Sequence, residues 1–384
     1  MSGNIKIKYA LESEIDEYFQ DESHMNQSFL KVYADGLEFM KEEEQAAEGL
    51  YYKENKNFIL GDYIDKFITG NENALKDKFF TEVIEKKPSE AIMSIVQYYL
   101  DNISDEAFEN NPGELIRYAR EIEYRANYKD ETLLATIIKE GREYFEHLKR
   151  AQGKQIISQA EYDVILNMIK KIEDSQEIKD VMTKPWLYLE EINADPECVY
   201  EVLFQQPVYF TYQELKSKSL LDILIIKKNI FTNVCEEAAI IDLKSTGTPV
   251  FRFNEAVNKY RYDFQIAFYK QAIIEFYKIP ENKINCFFFV LGKANPRYPL
   301  VSFKCTNELV ARGKVGNMLN SGPKAITAAF EPELKRLSRN NFYGFEEAIR
   351  SYKHYLSMEG GSIVESIDTF GTEFMLGVEG IYKH

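Results

Sequence analysis

Two aspartates and one lysine occupy positions where β-strands would bring their side chains together. Asp222 lies inside an apolar run, and Asp242 ends another, with Lys244 two residues further on. Because positions i and i+2 of a strand point to the same face, Asp242 and Lys244 project together while Leu243 points away. A carboxylate buried in a strand is costly unless it is paired or binds a metal.

This set of residues has two interpretations. Two carboxylates on neighbouring strands make a hard oxygen site that suits Mg²⁺ or Mn²⁺, and the backbone carbonyl of Leu243 adds a ligand. Lys244 would then stabilise the charge that develops at phosphorus or orient a water, which is metal-assisted hydrolysis of a phosphodiester. In the other interpretation, Asp222 ends a hairpin, and Asp242 and Lys244 form an ion pair on one face of a strand.

The chain around these residues predicts a sheet that is preceded by helices. Short runs rich in β-branched and aromatic residues predict six strands, at 199–204, 207–212, 220–226, 238–243, 284–291 and 299–305. Helical spacing dominates the first half of the chain, where Ser158 and Glu161 form a predicted capping box, and it returns at 255–278. We therefore expect an α+β fold with an α/β core, in which helices flank a central mixed sheet.

Three regions follow from this pattern. Residues 1–195 are predicted to be mostly helical, and the family resemblance described below implies that they contribute an early helix to the site. Residues 196–320 hold the predicted sheet with the two aspartates and the lysine, and residues 321–384 form a C-terminal helical segment and tail.

Composition excludes several classes of protein. The 384 residues are 45% hydrophobic and 28% charged, which is ordinary for a globular protein and excludes a disordered or collagen-like chain. The longest apolar stretches are far shorter than the roughly 20 residues that span a bilayer, and the first residues lack the apolar segment of a signal peptide. We therefore expect a cytoplasmic protein with no membrane partner.

Charge is distributed unevenly along the chain. The net charge of −15 argues against a nucleic-acid partner, yet residues 216–339 carry 20 Lys and Arg against 11 Asp and Glu, a net of +9. Residues 1–215 carry 24 against 44, a net of −20. Such asymmetry indicates a site for a polyanion. The basic residues predicted to contact phosphates are Lys216, Lys218, Lys227, Lys228, Arg252, Lys259, Arg261, Lys270, Lys293, Arg297 and Lys304.

Aromatic residues are interleaved with these basic residues, and they also have two interpretations. Rings in this region suit stacking on unpaired bases, or they pack in the core as most aromatic residues do. The residues concerned are Phe251, Phe253, Tyr260, Tyr262 and Tyr298.

The pattern of Asp222 followed by Asp242-Leu243-Lys244 resembles the signature of the PD-(D/E)xK nucleases. Downstream, Gln265 and Tyr269 resemble the QxxxY helix of RecB-type and RecE-like exonucleases, and their i, i+4 spacing places them on one helix face. The segment 25–30 resembles the start of the N-terminal helix of RecE-like phage exonucleases. Together the resemblance covers residues 25–320 in patches.

The resemblance implies a restriction-endonuclease-like sheet and a role for each matching residue. Asp222 and Asp242 would hold the metal, Lys244 would be the catalytic lysine, and Gln265 and Tyr269 would position the DNA or the strand that bears Lys244. Glu201, in the predicted strand 199–204, would be an accessory acid and a further metal ligand, or else an ordinary strand residue that faces water.

Two departures from the family pattern change what is expected. Where the family often has a metal-binding histidine in an early Gly-x-x-x-His helix, this chain has Gly61 followed by Asp65. An aspartate is a good Mg²⁺ ligand, so Asp65 would take that place, or else it lies on a solvated helix face. The iron–sulfur branch of the superfamily needs a close-spaced cysteine trio, and the four cysteines here are 37, 51 and 19 residues apart, so we expect no such cluster.

The resulting prediction is a Mg²⁺- or Mn²⁺-dependent DNA exonuclease that acts on linear double-stranded ends in recombination or replication. Its alternatives are a structure-specific endonuclease of the same fold and a catalytically degenerate scaffold that binds DNA or protein. The resemblance further implies a ring-shaped homo-oligomer, a single-strand annealing protein as partner and, for a phage-encoded enzyme, the host cytoplasm as its location.

Overall fold

The computed structural model describes residues 3–35, 63–64, 67–68, 75–76, 78–80, 82–103, 107–247, 249–293, 300–316 and 344–357. The chain forms two compact units. One unit comprises Met1–Met40 with Lys171–His384 and contains the sheet, and the other comprises Lys41–Lys170. Asp65, the predicted substitute for the family histidine, lies outside the described residues.

Six strands form one mixed sheet in the order of the sequence. The strands are β1 (Asn4–Tyr9), β2 (Cys198–Tyr212), β3 (Leu215–Asn229), β4 (Cys235–Thr246), β5 (Ile284–Gly292) and β6 (Val301–Lys304). The pairs β1–β2 and β4–β5 are parallel, and the other three pairs are antiparallel. The predicted α+β class is therefore confirmed.

The helices of the described residues surround this sheet or form the second unit. They are α1 (Glu12–Gln20), α2 (Gln27–Asp35), α3 (Glu90–Asn102), α4 (Pro112–Glu121), α5 (Asp130–Ala151), α6 (Gln159–Asp174), α7 (Gln176–Thr183), α8 (Phe253–Tyr260), α9 (Tyr262–Tyr277), α10 (Asn307–Val315) and α11 (Phe345–Ser357). None of them combines the length and the apolarity needed to cross a bilayer.

Helix α9 is the centre of the sheet unit. Ten of its 16 residues are buried, because the sheet packs on one side and helices α2, α10 and α11 pack on the others. Its rings meet those of the neighbouring elements, with Phe268 5.3 Å from Phe210 of β2 and 5.6 Å from Phe345 of α11 between centroids. The position of α9 over the sheet is therefore fixed by core packing.

The second unit has a helical core of its own. Helices α3, α4 and α5 pack around fully buried residues, including the rings of Tyr99, Phe108 and Phe145. Within this unit the predicted capping box before α6 is confirmed, since Ser158 N–H donates to Glu161 Oε2 at 2.8 Å. Asn111 precedes α4, and Pro112 occupies its first turn, where a missing N–H costs nothing.

Three elements differ from the sequence prediction. The two predicted strands 199–204 and 207–212 form the single strand β2. Pro207 is tolerated there because β1 pairs with β2 only as far as Phe204, so the proline lies on an edge. The predicted helix 255–278 divides into α8 and α9 at Arg261, which has a φ of 54°. Strand β1 was not predicted, because it is short and exposed and alternates lysine with isoleucine.

The start of α9 is held by a close approach of α10. Asp263, which is fully buried, accepts hydrogen bonds from Nε of Arg261 at 3.1 Å and from Nε of Arg312 at 2.6 Å. A Cβ added to Gly313 of α10 would clash with the carbonyl group of Asp263 and with Ala267. Only glycine therefore allows α10 to hold the turn between α8 and α9.

We expect Gly313→Ala to lower the free energy of unfolding by about 1–3 kcal/mol, because α10 must move away from α9 to make room for the methyl group. Gly247→Ala is the matched control in the same unit, since an added Cβ there meets no atom within 4 Å, and its effect should stay within about 0.5 kcal/mol. Chemical denaturation followed by circular dichroism measures both, and equal stability of the two variants would contradict the close approach.

Candidate active site

The candidate site lies where strands β3 and β4 separate. The two strands pair from Lys227–Glu237 to Ile223–Ile241, and the same register carried one residue further places Asp222 opposite Asp242. Beyond this point β3 continues along β2, while β4 continues along β5 to Thr246. We call this point the fork. Each aspartate lies directly beyond the last residue pair of the β3–β4 ladder, Ile223 and Ile241. Their side chains come together for this reason.

The carboxylate of Asp222 accepts a backbone N–H of β4 that has no β3 carbonyl to bond beyond the end of the β3–β4 pairing. The N–H of Leu243, which has lost its place in the β3–β4 ladder, donates to Asp222 Oδ2 at 2.7 Å. Gln205 of β2 reaches Asp222 Oδ1 from the other side at 3.5 Å. The N–H and C=O of one strand residue point to the same edge, so the carbonyl of Leu243 is also directed into the fork.

Asp242 and Lys244 form a buried ion pair beside Asp222. Lys244 Nζ lies 2.6 Å from Asp242 Oδ2, and the two side chains are 14% and 1% exposed. Within the described part of the chain, Asp242 Oδ1 is buried and accepts no hydrogen bond. Lys244 Nζ also lies 4.8 Å from the centroid of the Tyr262 ring, a cation–π contact that holds the ammonium in place.

The electrostatics of the fork follow from burial and from two negative charges near one positive charge. Burial raises the pKa of Asp222, and the neighbouring Asp242 raises it further. Burial also raises the pKa of Asp242, although Lys244 acts in the opposite direction. Burial opposes the charge of Lys244, but Asp242 and Asp222 outweigh it and raise the pKa of the ammonium. Lys244 is therefore protonated. Its single positive charge balances only one of the two carboxylates when both are ionised.

The N-terminal segment docks on the edge of β3 that β4 leaves open. Met25 accepts from Lys218 N–H at 2.9 Å and donates to the carbonyl of Lys216 at 2.9 Å. Asn26 then caps α2 by accepting from the N–H of Phe29 at 2.8 Å. This placement brings Lys31 close enough for its charge to lower the pKa of Asp242. The segment 25–30 thus pairs with β3 at Ser217 and leads into α2, the helix whose start its sequence resembles.

Gln265 and Tyr269 lie on the face of α9 that covers the fork. Gln265 Nε2 donates to Tyr269 Oη at 2.8 Å, so the two residues share one helix face as their spacing predicts. Burial raises the pKa of Tyr269, and the charges of Asp242 and Asp222 raise it further. The tyrosine hydroxyl is therefore within electrostatic reach of both carboxylates.

Glu201 does not join this group. It lies on β2 four residues before Gln205, opposite Ile226 of β3, and its carboxylate faces Lys8 of β1 at 3.4 Å. At about 3.3 Å per strand residue, four residues put it roughly 13 Å along the strand. The position on β2 that faces Asp222 belongs instead to Gln205, which sequence reasoning missed. The sequence feature that could have identified Gln205 is the polar pair Gln205-Gln206 before Pro207, which interrupts an otherwise apolar strand.

Three of the basic residues predicted to contact phosphates have partners within the fold instead. Lys218 donates to the backbone carbonyls of Tyr18 and Asp21, and Lys227 is buried among carboxylates, at 2.8 Å from Glu191. Arg261 is buried against Asp263. These cations are used within the fold and are not available for phosphates. Lys31, which the sequence analysis did not select, donates to the carbonyl of Tyr260 at 3.0 Å, and its charge lowers the pKa of Asp242.

A second cluster with metal-binding side chains already contains a cation. The ligand atoms of Asp195, Cys198 and Glu236 lie within 4.8 Å of one another. Lys227 Nζ lies 3.5 Å from Asp195 and 3.6 Å from Glu236, so its ammonium neutralises this cluster. The arrangement is an ion-pair network at the far end of β3.

The donor set of the fork fits a hard divalent cation. Asp222 and Asp242 bring two carboxylates together beside the backbone of Leu243, and Asp242 Oδ1 is a buried oxygen that accepts no hydrogen bond in the described residues. Such an oxygen is costly to bury without a partner, and carboxylate and carbonyl oxygens are the ligands that Mg²⁺ and Mn²⁺ prefer. Asp222 retains some solvent exposure, so an ion can reach it from outside.

Comparisons with known proteins add little to this geometry. No family model and no curated protein matches the chain. A crystal structure of a "Putative exonuclease" from Eubacterium rectale is similar over 79% of this chain and 80% of that chain, with a TM-score of 0.39 and 14% sequence identity. At this level of similarity the residues of the fork, and not the comparison, carry the functional assignment.

We expect Asp222→Asn to stabilise the metal-free protein. An asparagine oxygen still accepts the N–H of Leu243, while the excess negative charge disappears. Because the folded-state pKa of Asp222 is raised, the stability it contributes is present below its unfolded pKa of about 4 and is lost as the pH rises through the folded pKa. The variant should therefore match the wild type near pH 4 and exceed its melting temperature at pH 8, with EDTA present.

Thermal unfolding across this pH range tests the expectation. Added Mg²⁺ should raise the melting temperature of the wild type more than that of Asp222→Asn, because only the wild type retains both carboxylates. A variant that melts below the wild type at pH 8 would show that Asp222 is not an uncompensated charge.

Proposed function

We propose that this chain is a Mg²⁺- or Mn²⁺-dependent deoxyribonuclease with a PD-(D/E)xK-type site, which acts as an exonuclease on the ends of linear double-stranded DNA. The observation that carries the proposal is the fork itself, where Asp222, Asp242 and Lys244 meet beside a buried carboxylate oxygen without a hydrogen-bond donor among the described residues. The sequence resemblance to RecE-like enzymes supports the choice of DNA ends and a role in recombination or replication.

Each residue of the fork has a defined task in such a reaction. A divalent cation held by Asp222, Asp242 and the carbonyl of Leu243 would supply positive charge to the phosphate oxygens and favour ionisation of the attacking water. Lys244 Nζ lies 2.6 Å from Asp242 Oδ2, and the N–H groups of its ammonium that do not face Asp242 can donate to the phosphate. Because Lys244 is held in place before the reaction, it stabilises the developing charge without reorganisation.

Neighbouring residues hold these side chains in position. The ring of Tyr262 contacts the Lys244 ammonium, and Gln265 fixes the hydroxyl of Tyr269 through a hydrogen bond of 2.8 Å. Lys31 adds a second positive charge that acts on Asp242. A phosphate that enters the fork would therefore meet two ammonium groups and one metal site.

Digestion of end-labelled linear double-stranded DNA tests the proposal. We expect the wild type to release label with Mg²⁺ or Mn²⁺, to lose this activity in EDTA, and to leave closed circular DNA intact. Lys244→Met should lower kcat by about 100- to 1000-fold, as expected when a preorganised donor to the transition state is removed. Lys6→Met, a change of the same type at an exposed residue of β1, should keep full activity.

The controls separate the proposal from its alternatives. Cleavage of closed circular DNA would indicate an endonuclease that uses the same fork. Binding of linear DNA without cleavage in either metal would indicate a catalytically degenerate scaffold. Cleavage that survives Lys244→Met in a protein purified to constant specific activity would place the active site elsewhere.

A further inference from the structure

Four aromatic rings form a ladder beside the fork, which runs from the exposed ring of Tyr260 past the buried ring of Phe253 to the half-buried ring of Phe303. The ring of Tyr260 is tilted by 31° against that of Tyr262, with 5.7 Å between centroids. Tyr262 stacks on Phe253 at 5.8 Å, and Phe253 stacks on Phe303 at 5.9 Å. Phe253 is 4% exposed and Tyr260 is 49% exposed, so the ladder ends at the solvent with Tyr260.

The exposed end of this ladder lies next to the groups that would handle a phosphate. Tyr262, the second ring, contacts the ammonium of Lys244. The carbonyl oxygen of Tyr260 accepts a hydrogen bond from Lys31 Nζ at 3.0 Å, and the charge of Lys31 acts on Asp242. Tyr260 is therefore linked to the fork in two ways. Its ring contacts Tyr262, which contacts Lys244, and its carbonyl contacts Lys31, whose charge acts on Asp242.

The backbone presents Tyr260 rigidly. Helix α8 ends at Tyr260, and Arg261 turns the chain in the left-handed conformation, with its N–H donating to the carbonyl of Val257. The guanidinium of Arg261 is buried against Asp263. A tyrosine held in this way loses little conformational entropy when a ligand binds. Lys259 Nζ lies 5.0 Å from the Tyr260 centroid and adds positive charge at the same place.

We propose that Tyr260 is a stacking platform for the terminal base of a DNA end whose phosphate lies in the fork. This proposal rests on the proposed nuclease function and gives it a physical reason to act at ends. Inside a duplex both faces of every base are covered by neighbouring bases, whereas the last base exposes one face. A ring beside the fork that needs a free face would select that position, and positive charge next to an aromatic ring is the usual arrangement for binding unpaired nucleotides.

Removing the ring and removing the base test the proposal together. Tyr260→Ala should lower kcat/KM on linear DNA by about 5- to 150-fold, the range for the loss of one base–aromatic stack. Tyr260→Trp should restore most of the activity. On DNA that ends in a tetrahydrofuran abasic nucleotide, the wild type should fall to the level of Tyr260→Ala, and the substitution should then have no further effect. Phe231→Ala, at a 75% exposed ring in the β3–β4 turn, is the matched control with wild-type rates.

A binding measurement separates this proposal from the nuclease proposal. DNA with a terminal 2-aminopurine should lose fluorescence when the wild type binds it in Ca²⁺, and Tyr260→Ala should bind without this quenching. Quenching that depends on Tyr260 in a protein that cleaves no DNA would support the platform and overturn the nuclease. Cleavage by Tyr260→Ala at the wild-type rate would overturn the platform and leave the nuclease intact. The same conclusion would follow if the substitution lowered kcat/KM on the abasic DNA by as large a factor as on normal DNA.

Discussion

The local structure of the fork depends on one electrostatic constraint, the burial of two carboxylates with a single ammonium in contact. Asp222 and Asp242 face each other where β3 and β4 part, and only Lys244 forms an ion pair with them in the described residues. Burying unpaired charge costs several kcal/mol, so this arrangement persists only if the surrounding structure enforces it. In the nuclease that we propose, this arrangement would lower the stability of the metal-free protein and favour the binding of a cation.

The surrounding elements enforce the arrangement through ordinary packing and hydrogen bonding. Strands β2 and β5 hold β3 and β4 apart by pairing with their outer edges. Met25 pairs with the edge of β3 that becomes free, and α2 follows, from which the charge of Lys31 acts on Asp242. Helix α9 covers the fork because its own apolar residues are packed on nearly every side. The candidate site residues are thus carried by strands and by a core helix, which position side chains more accurately than loops do.

Much of this was predictable from the sequence, and what was not has physical reasons. The strand period put Asp242 and Lys244 on one face, and the i, i+4 spacing put Gln265 beside Tyr269, because both depend only on local geometry. The contribution of Gln205 depends on the register between β2 and β3, which no local pattern gives. Lys218 and Lys227 looked like surface cations, yet both are buried by partners far away in the sequence. Lys31 approaches Asp242 only through the docking of residue 25 on β3.

The most direct test of the metal site is anomalous diffraction from a crystal of the full chain soaked in Mn²⁺. A site formed by Asp222, Asp242 and the carbonyl of Leu243 predicts an anomalous peak in the fork, about 2.1–2.3 Å from the carboxylate oxygens. The same soak of Asp222→Asn crystals should weaken or remove this peak. An anomalous map with no peak in the fork of the wild type, or with its main peak at Asp195, Cys198 and Glu236, would contradict the account.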